Sequence, residues 1–196
     1  MTFAAASGAV RLVLGPALRE YRGTVRATLV GSDVRTVVAS SLEAYLRSVV
    51  PAEMPPSWAS HALRAQAVAA RSYATWERDN LAHGWYDTCD TTACQVFKGA
   101  AEYTTAGTLT VRYEHPNTDA AVSATAGRVL TFGGAIAFAQ FSAANGGWTV
   151  AGPVPYLQAF PDPYDGVVPS TAHRWTATVD RATCKPPIRR SGSCGA

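Results

Sequence analysis

Three observations predict an α+β fold, with mixed short strands and a two-helix segment. β-branched residues alternate with polar ones between residues 10 and 38, apolar spacing turns helical between Ser41 and Asn80, and strand-like runs return after Gly107. The first region reads as strands at residues 10–14, 25–30 and 34–38, separated by the turn formers Gly15-Pro16 and Gly31-Ser32-Asp33. Ser41 is placed to cap a short helix carrying Leu42, Tyr45, Leu46, Val49 and Val50 at helical spacing, which Pro51 is expected to end. After the Pro55-Pro56 break, Ser57 or Ser60 caps a longer helix, SHALRAQAVAARSYATWERDN, whose stripe of Leu63, Ala67, Ala70 and Ala74 allows close packing. Residues 111–113, 120–126, 129–132, 135–142 and 175–179 read as strands, with Gly133-Gly134 turning a hairpin.

These elements are expected to form one domain over residues 1–196: N-terminal strands at 1–40, a helical segment at 41–80, a cysteine-containing loop at 81–107, further strands at 108–180 and a cysteine-containing tail at 181–196. That length buries a sizeable core. With 47% hydrophobic and 16% charged residues the chain is not of the disordered class, and a scattered net charge of +3 is too small to argue for nucleic acid. No apolar run approaches the roughly 18 residues that a membrane span requires. The opening MTFAAASGAV lacks the basic start and long apolar segment of a secretory signal, so any native signal or anchor is expected to lie outside this sequence.

Cys89, Cys94, Cys184 and Cys194 form two close pairs in sequence. Local disulfides Cys89–Cys94 and Cys184–Cys194 are the simplest of the three connectivities and imply an oxidising compartment. The competing reading is a metal site, with His83 six residues before Cys89 and Cys94 five after it. Because that spacing matches no common zinc pattern, the disulfides stand first and zinc second.

Read in order, YLRSVVPAEMPPSW, ALRAQAVAARSYA, CQVFKG, SATAGRVLTFGGAIAFAQFSAANGGWT and HRWT resemble the stage II sporulation protein D family, also called the SpoIID/LytB domain. Each segment alone is weak evidence; their order is specific. The resemblance implies a lytic transglycosylase that cleaves peptidoglycan glycan strands, with a preference for strands stripped of stem peptides. It also implies relatives that enhance wall amidases, an extracytoplasmic or wall-associated location, and no required cofactor, although zinc in some members returns attention to His83, Cys89 and Cys94. The family's acid, in its E-M-P segment, falls on Glu53, and His173 matches a family position. Two departures bear on this: Pro55-Pro56-Ser57-Trp58 is richer in proline than the family's turn, and Ala143-Ala144-Asn145 stands where serines are common.

Glycosidic cleavage needs a proton delivered to the leaving oxygen. Glu53, flanked by Val50, Met54, Pro55 and Trp58, has suitable company; the competing reading is a solvated glutamate ordering a turn. A hydrolase would add a second carboxylate, for which Asp87 and Asp90 are the candidates, each otherwise a turn residue. A transglycosylase needs none, because the muramic 6-hydroxyl attacks its own anomeric carbon. Gln95 is a candidate sugar-binding amide or else a loop anchor. Tyr73 offers an aromatic edge or packs in the core, and Arg71, two residues away, reads as a structural ion pair or cap. Ser142, Asn145, Gly146 and Gly147 form a turn that either approaches substrate closely or joins strands. Trp58, Trp85 and Trp148 are candidate stacking surfaces, and His173 reads first as a structural hydrogen bonder.

Overall fold

The computed structural model describes residues 1–81 and 83–167, with residues 173, 174, 176 and 178, and leaves aside the side chains of residues 5–7. The chain divides into two units, Met1–Phe141 and Ser142–Ala196. The expected Cys184–Cys194 bridge, and Trp175, Ala177 and Val179 of the expected last strand, lie outside the described residues.

The first unit is α+β. Its strands β1 (Thr2–Leu14), β2 (Ala17–Val30) and β3 (Asp33–Ala39) form an antiparallel meander, longer than the alternation predicts. One edge of β2 pairs with β1. Its other edge is shared: residues 24–30 pair with β3, and residues 17–20 pair with β4 (Ala101–Thr104), to which β5 (Leu109–Arg112) adds. Gly23 marks the junction, at φ +97°, with the Ala39 and Ser40 backbone pressed where a Cβ would stand. Only glycine tolerates both conditions, so the chain can leave β3 directly over β2 and enter the first helix.

That helix, α1 (Leu42–Glu53), starts as expected: the Ser41 hydroxyl accepts from Ala44 N–H at 3.3 Å. It does not stop at Pro51. The proline removes one helical N–H, but Tyr45, Leu46, Val49 and Val50 are buried on the face just before it, and Met54 N–H closes the last turn onto Val50 carbonyl at 3.0 Å. Burying Val49 and Val50 is worth roughly 1.5–3 kcal/mol each, enough to offset about 3 kcal/mol for an interior proline. Glu53 is therefore the last residue of α1, rather than part of a free connection.

The second helix, α2 (Ser60–Asn80), is capped by neither serine: Ala59 holds the N-cap without a side-chain bond, while Ser57 lies in the turn closed by Trp58 N–H on Pro55 carbonyl. Residues 120–126 correct the expected strand. They fall mostly within α3 (Pro116–Ala124), whose start is fixed by Pro116, by the His115 ring accepting from Asn117 N–H at 3.2 Å, and by Thr118 Oγ1 donating to His115 carbonyl at 2.8 Å.

The three helices meet around Leu46, Val49, Val50, Ala67, Ala70, Ala74 and Val122. Through this core runs Arg71, 1% exposed. Its guanidinium forks onto Glu43 at 2.9 and 2.8 Å and donates to the carbonyls of Ala67, Val122 and Arg128, so one side chain ties all three helices together. Arg71, opposed by partial burial, holds the Glu43 carboxyl below its ordinary value.

The expected hairpin forms as β6 (Thr131–Phe132) and β7 (Ala135–Ile136) around Gly133 and Gly134, both at positive φ. Residues 137–142 continue without a ladder. Alternation persists there because Ala137 and Ala139 are buried while Phe138 lies against Tyr73 and Trp76 on α2, a helix surface standing where a strand partner is expected.

In the second unit, residues 147–149 pair with residues 160–162: Thr149 N–H donates to Phe160 carbonyl and Asp162 N–H to Gly147 carbonyl, each at 2.9 Å. Trp148 opposes Pro161 across this pairing.

Candidate functional site

Glu53 occupies the C-terminal end of α1 and is half-buried. Its Oε1 accepts from Val96 N–H at 3.1 Å, and its Oε2 has no hydrogen-bond or ion-pair partner among the described residues.

The segment supplying that N–H is itself locked, residue by residue. Gln95, 1% exposed, accepts from the Tyr45 hydroxyl at 3.2 Å and donates to Ala70 carbonyl at 3.3 Å. Phe97 packs between Tyr45 and Tyr21, with ring centroids at 5.0 and 5.9 Å, joining helix α1 to strand β2. Lys98 N–H donates to the buried Ser48 hydroxyl at 3.1 Å. Residues 95–98 thus run as a fixed rail beside α1, held to its residues Tyr45, Ser48 and Glu53. Burial pushes the Tyr45 phenol well above its ordinary value, so it stays a neutral donor to Gln95.

Just before this rail, Cys89 and Cys94 are joined in a disulfide, as the sequence favours. Phe97 N–H returns to Asp90 carbonyl at 3.2 Å, and Thr88 Oγ1 donates to the buried Glu77 carboxylate at 2.6 Å, pinning the loop to α2. In this oxidised form neither sulfur is a thiolate, and His83 stacks on Tyr86 with centroids 4.4 Å apart. The His83, Cys89 and Cys94 set does not fit a zinc ion in that state.

The remaining candidates divide between internal and open positions. Gln95 is internal: both ends of its amide are bonded to the fold, the arrangement of a loop anchor, the second of its two readings. Tyr73 is half-buried, stacked on Phe138 at 5.4 Å, with its phenol raised by burial. Trp58, five residues beyond Glu53, is 53% exposed, whereas Trp85 packs edge-on against Tyr86. Asp87 and Asp90 are exposed loop residues.

Ser142, Asn145, Gly146 and Gly147 belong to the second unit. Ser142 Oγ donates to Ala144 carbonyl at 3.2 Å. Asn145 Oδ1 accepts from Gly147 N–H and its Nδ2 donates to Asp162, each at 2.9 Å, while the N–H groups of Asn145 and Gly147 donate to Asp165 Oδ2 at 2.9 and 3.1 Å. Gly146 and Gly147 take positive φ, +73° and +91°. His173 Nδ1 lies 3.1 Å from Asp165 Oδ2. His173, and behind it the backbone N–H groups, hold the Asp165 carboxyl below its ordinary value against partial burial.

A family model described as stage II sporulation protein matches residues 31–132, just over half of the chain and the stretch from β3 to β6 that contains Glu53 and its rail. The chain belongs to this SpoIID family. It is similar to the amidase enhancer of Bacillus subtilis (strain 168), 35% identical over 69% of this chain and 17% of that protein. An uncharacterized protein of Brachyspira hyodysenteriae is 30% identical over 66% of this chain and 33% of its own length, and stage II sporulation protein D of Bacillus subtilis is 28% identical over 78% and 47%. The chain spans less than half the length of each of these relatives.

Sequence reasoning misses the rail. The Val96 N–H is a backbone group with no side-chain signature, and Ser48 reads as one more residue of an apolar helix unless Lys98 N–H is seen to need it.

Proposed function

We propose that this SpoIID-family chain is an extracytoplasmic, wall-facing lytic transglycosylase that cleaves the bond between N-acetylmuramic acid and N-acetylglucosamine in peptidoglycan, with Glu53 as acid and then base. The observation that carries the reading is the half-engaged carboxyl: Oε1 fixed by Val96 N–H, Oε2 unpartnered among the described residues. Protonated Glu53 gives its proton to the departing glycosidic oxygen as the bond to the anomeric carbon breaks. The muramic 6-hydroxyl forms the new bond to that carbon, and its proton returns to the Glu53 carboxylate. No water is consumed, one carboxyl serves both halves, and the product ends in a 1,6-anhydro ring. Trp58, exposed and five residues beyond Glu53, would offer a face on which a sugar stacks.

A second reading rests on the similarity to a protein named amidase enhancer: a glycan-binding module, without turnover, that assists a wall amidase. Among the described residues no helix is long and apolar enough to cross a membrane, which suits either role at the wall.

Purified glycan strands, with and without stem peptides, incubated with the chain and with Glu53→Gln, separate the two by mass spectrometry. Anhydro-muramic ends from the unmodified chain alone support transglycosylation, and their preference between the two substrates tests the expected taste for stripped strands. Intact strands throughout, with binding retained, support the helper role.

A further inference from the structure

A cavity of about 200 Å³ opens beside Pro51 and Ala52, the two residues before Glu53. Ser48, Pro56, Lys98, Arg112, Tyr113 and His115 complete its lining. Three of these eight lining residues carry basic groups, and no lining residue is acidic.

Of the neighbouring carboxyl groups, Asp119 faces His115 and Glu114 with its Oδ1 unpartnered among the described residues, and burial holds it above its ordinary value, toward the neutral form; the other two, Glu114 and Glu102, are committed. Glu114, buried, is held by a two-pronged pair with Arg22 at 2.6 and 2.7 Å. Glu102 is held by Arg19 and by the Tyr113 hydroxyl, each at 2.9 Å. One arginine answers each glutamate, which leaves Lys98 and Arg112 without a carboxylate partner among the described residues; the Lys98 ammonium has only the Tyr113 ring, at 5.9 Å. His115 accepts from Asn117 N–H through Nδ1, so a neutral ring carries its proton on Nε2 and is a further donor.

We infer that this cavity is a subsite for a carboxylate borne on the glycan strand, held by Lys98 and Arg112 with His115 as an added donor, at the end of the helix that presents Glu53. The inference rests on the glycan-substrate reading above and adds to it the group that sets the strand in place. At about 200 Å³ the cavity is smaller than the roughly 300–1,000 Å³ typical of small-molecule pockets, so it takes a short acidic side group and leaves the sugar rings outside. Pro51, Pro56 and the Tyr113 ring supply apolar walls for the carbon stem of such a group. Two sources on peptidoglycan share this chemistry: the free lactyl carboxylate of a bare muramic acid and the carboxylates of an attached stem peptide. Lys98 and Arg112 are both exposed, so their contribution weakens with salt.

The test measures binding calorimetrically in the Glu53→Gln chain, where turnover does not intrude, against three soluble probes: bare muramic-acid-containing oligomers, the same oligomers carrying stem peptides, and chitotetraose, which has no carboxylate. At least one carboxylated probe should bind about tenfold more tightly than chitotetraose, and the one that does identifies the source. Lys98→Gln and Arg112→Gln should each remove about that factor while leaving chitotetraose binding and the melting midpoint unchanged, and Lys98→Arg should restore it. Equal affinity for all three probes, no binding to any, or charge-removing variants that bind as before would each overturn the subsite. Turnover is read separately on the unmodified chain. Carboxylate preference without anhydro ends would sink the transglycosylase reading and keep the subsite; anhydro ends without that preference would do the reverse.

Discussion

Of the carboxylates that accept backbone N–H groups among the described residues, Asp165 and Glu53 are used in opposite ways. Asp165 in the second unit takes the N–H groups of Asn145 and Gly147 on a single oxygen and faces His173 as well. Glu53 in the first unit takes one N–H, from Val96, and no charged group pairs with it among the described residues. A carboxylate saturated with donors is held in its ionised form and organises backbone. One held by a single bond keeps a lone pair for chemistry. The number of partners, more than the residue type, separates the structural acid from the catalytic candidate.

Replacing Glu53 by Gln sharpens this contrast most. The amide keeps an oxygen for Val96 N–H, so the melting midpoint should stay within a degree or two while formation of anhydro ends falls by about 10³-fold, the scale of a lost general acid. A variant that lost stability along with activity would place Glu53 with Asp165 as a structural acid. Gln95→Leu comes next. It leaves the Tyr45 hydroxyl and Ala70 carbonyl without their buried partner, at a cost of about 1–3 kcal/mol read by chemical denaturation, and loosens the segment that fixes Glu53. Cutting the Cys89–Cys94 bridge with reductant, or with the double serine variant, should lower turnover several-fold. The loop it closes feeds directly into Gln95 and Val96, so amide exchange of Val96 should quicken in the same samples.

The N-terminal strands, the start of α1 and the candidate acid are legible in the amino-acid sequence because their signals are local: alternation places the three strands, Ser41 announces α1, and the order of short motifs points to Glu53. The misreadings share a physical cause. Pro51 fails to stop α1 since buried valines beside it outweigh the missing N–H, and residues 120–124 form helix because the signal lies upstream, in His115, Pro116 and Thr118. The two readings of the Gln95 amide, sugar binder or loop anchor, stay open in the sequence because nothing near it shows that Tyr45 of α1 and Ala70 of α2 bond to it. What holds Glu53 is beyond reach for a related reason: a backbone N–H is the same at every residue, and only tertiary placement distinguishes Val96.

The smallest effect belongs to the other side of the comparison. Because the folded-state pKa of Asp165 lies below its unfolded value, its ionised form is the one the turn binds more tightly. The stability it adds is complete above the ordinary aspartate range, near about 4, and is lost as pH falls through the lower folded value. Between about pH 7 and 5 the exchange rates of the Asn145 and Gly147 amides, corrected for intrinsic pH dependence, should hold steady. Below about pH 4 they should rise. Asp165→Asn should show the fast exchange at neutral pH already and flatten the acid response, since one amide oxygen cannot replace a carboxylate facing two N–H groups and an imidazole. A variant that keeps the pH response would mean that Asp162, whose Oδ1 accepts from the N–H groups of Tyr164 and Asp165, organises the turn instead, and the contrast with Glu53 would have to be drawn from that residue.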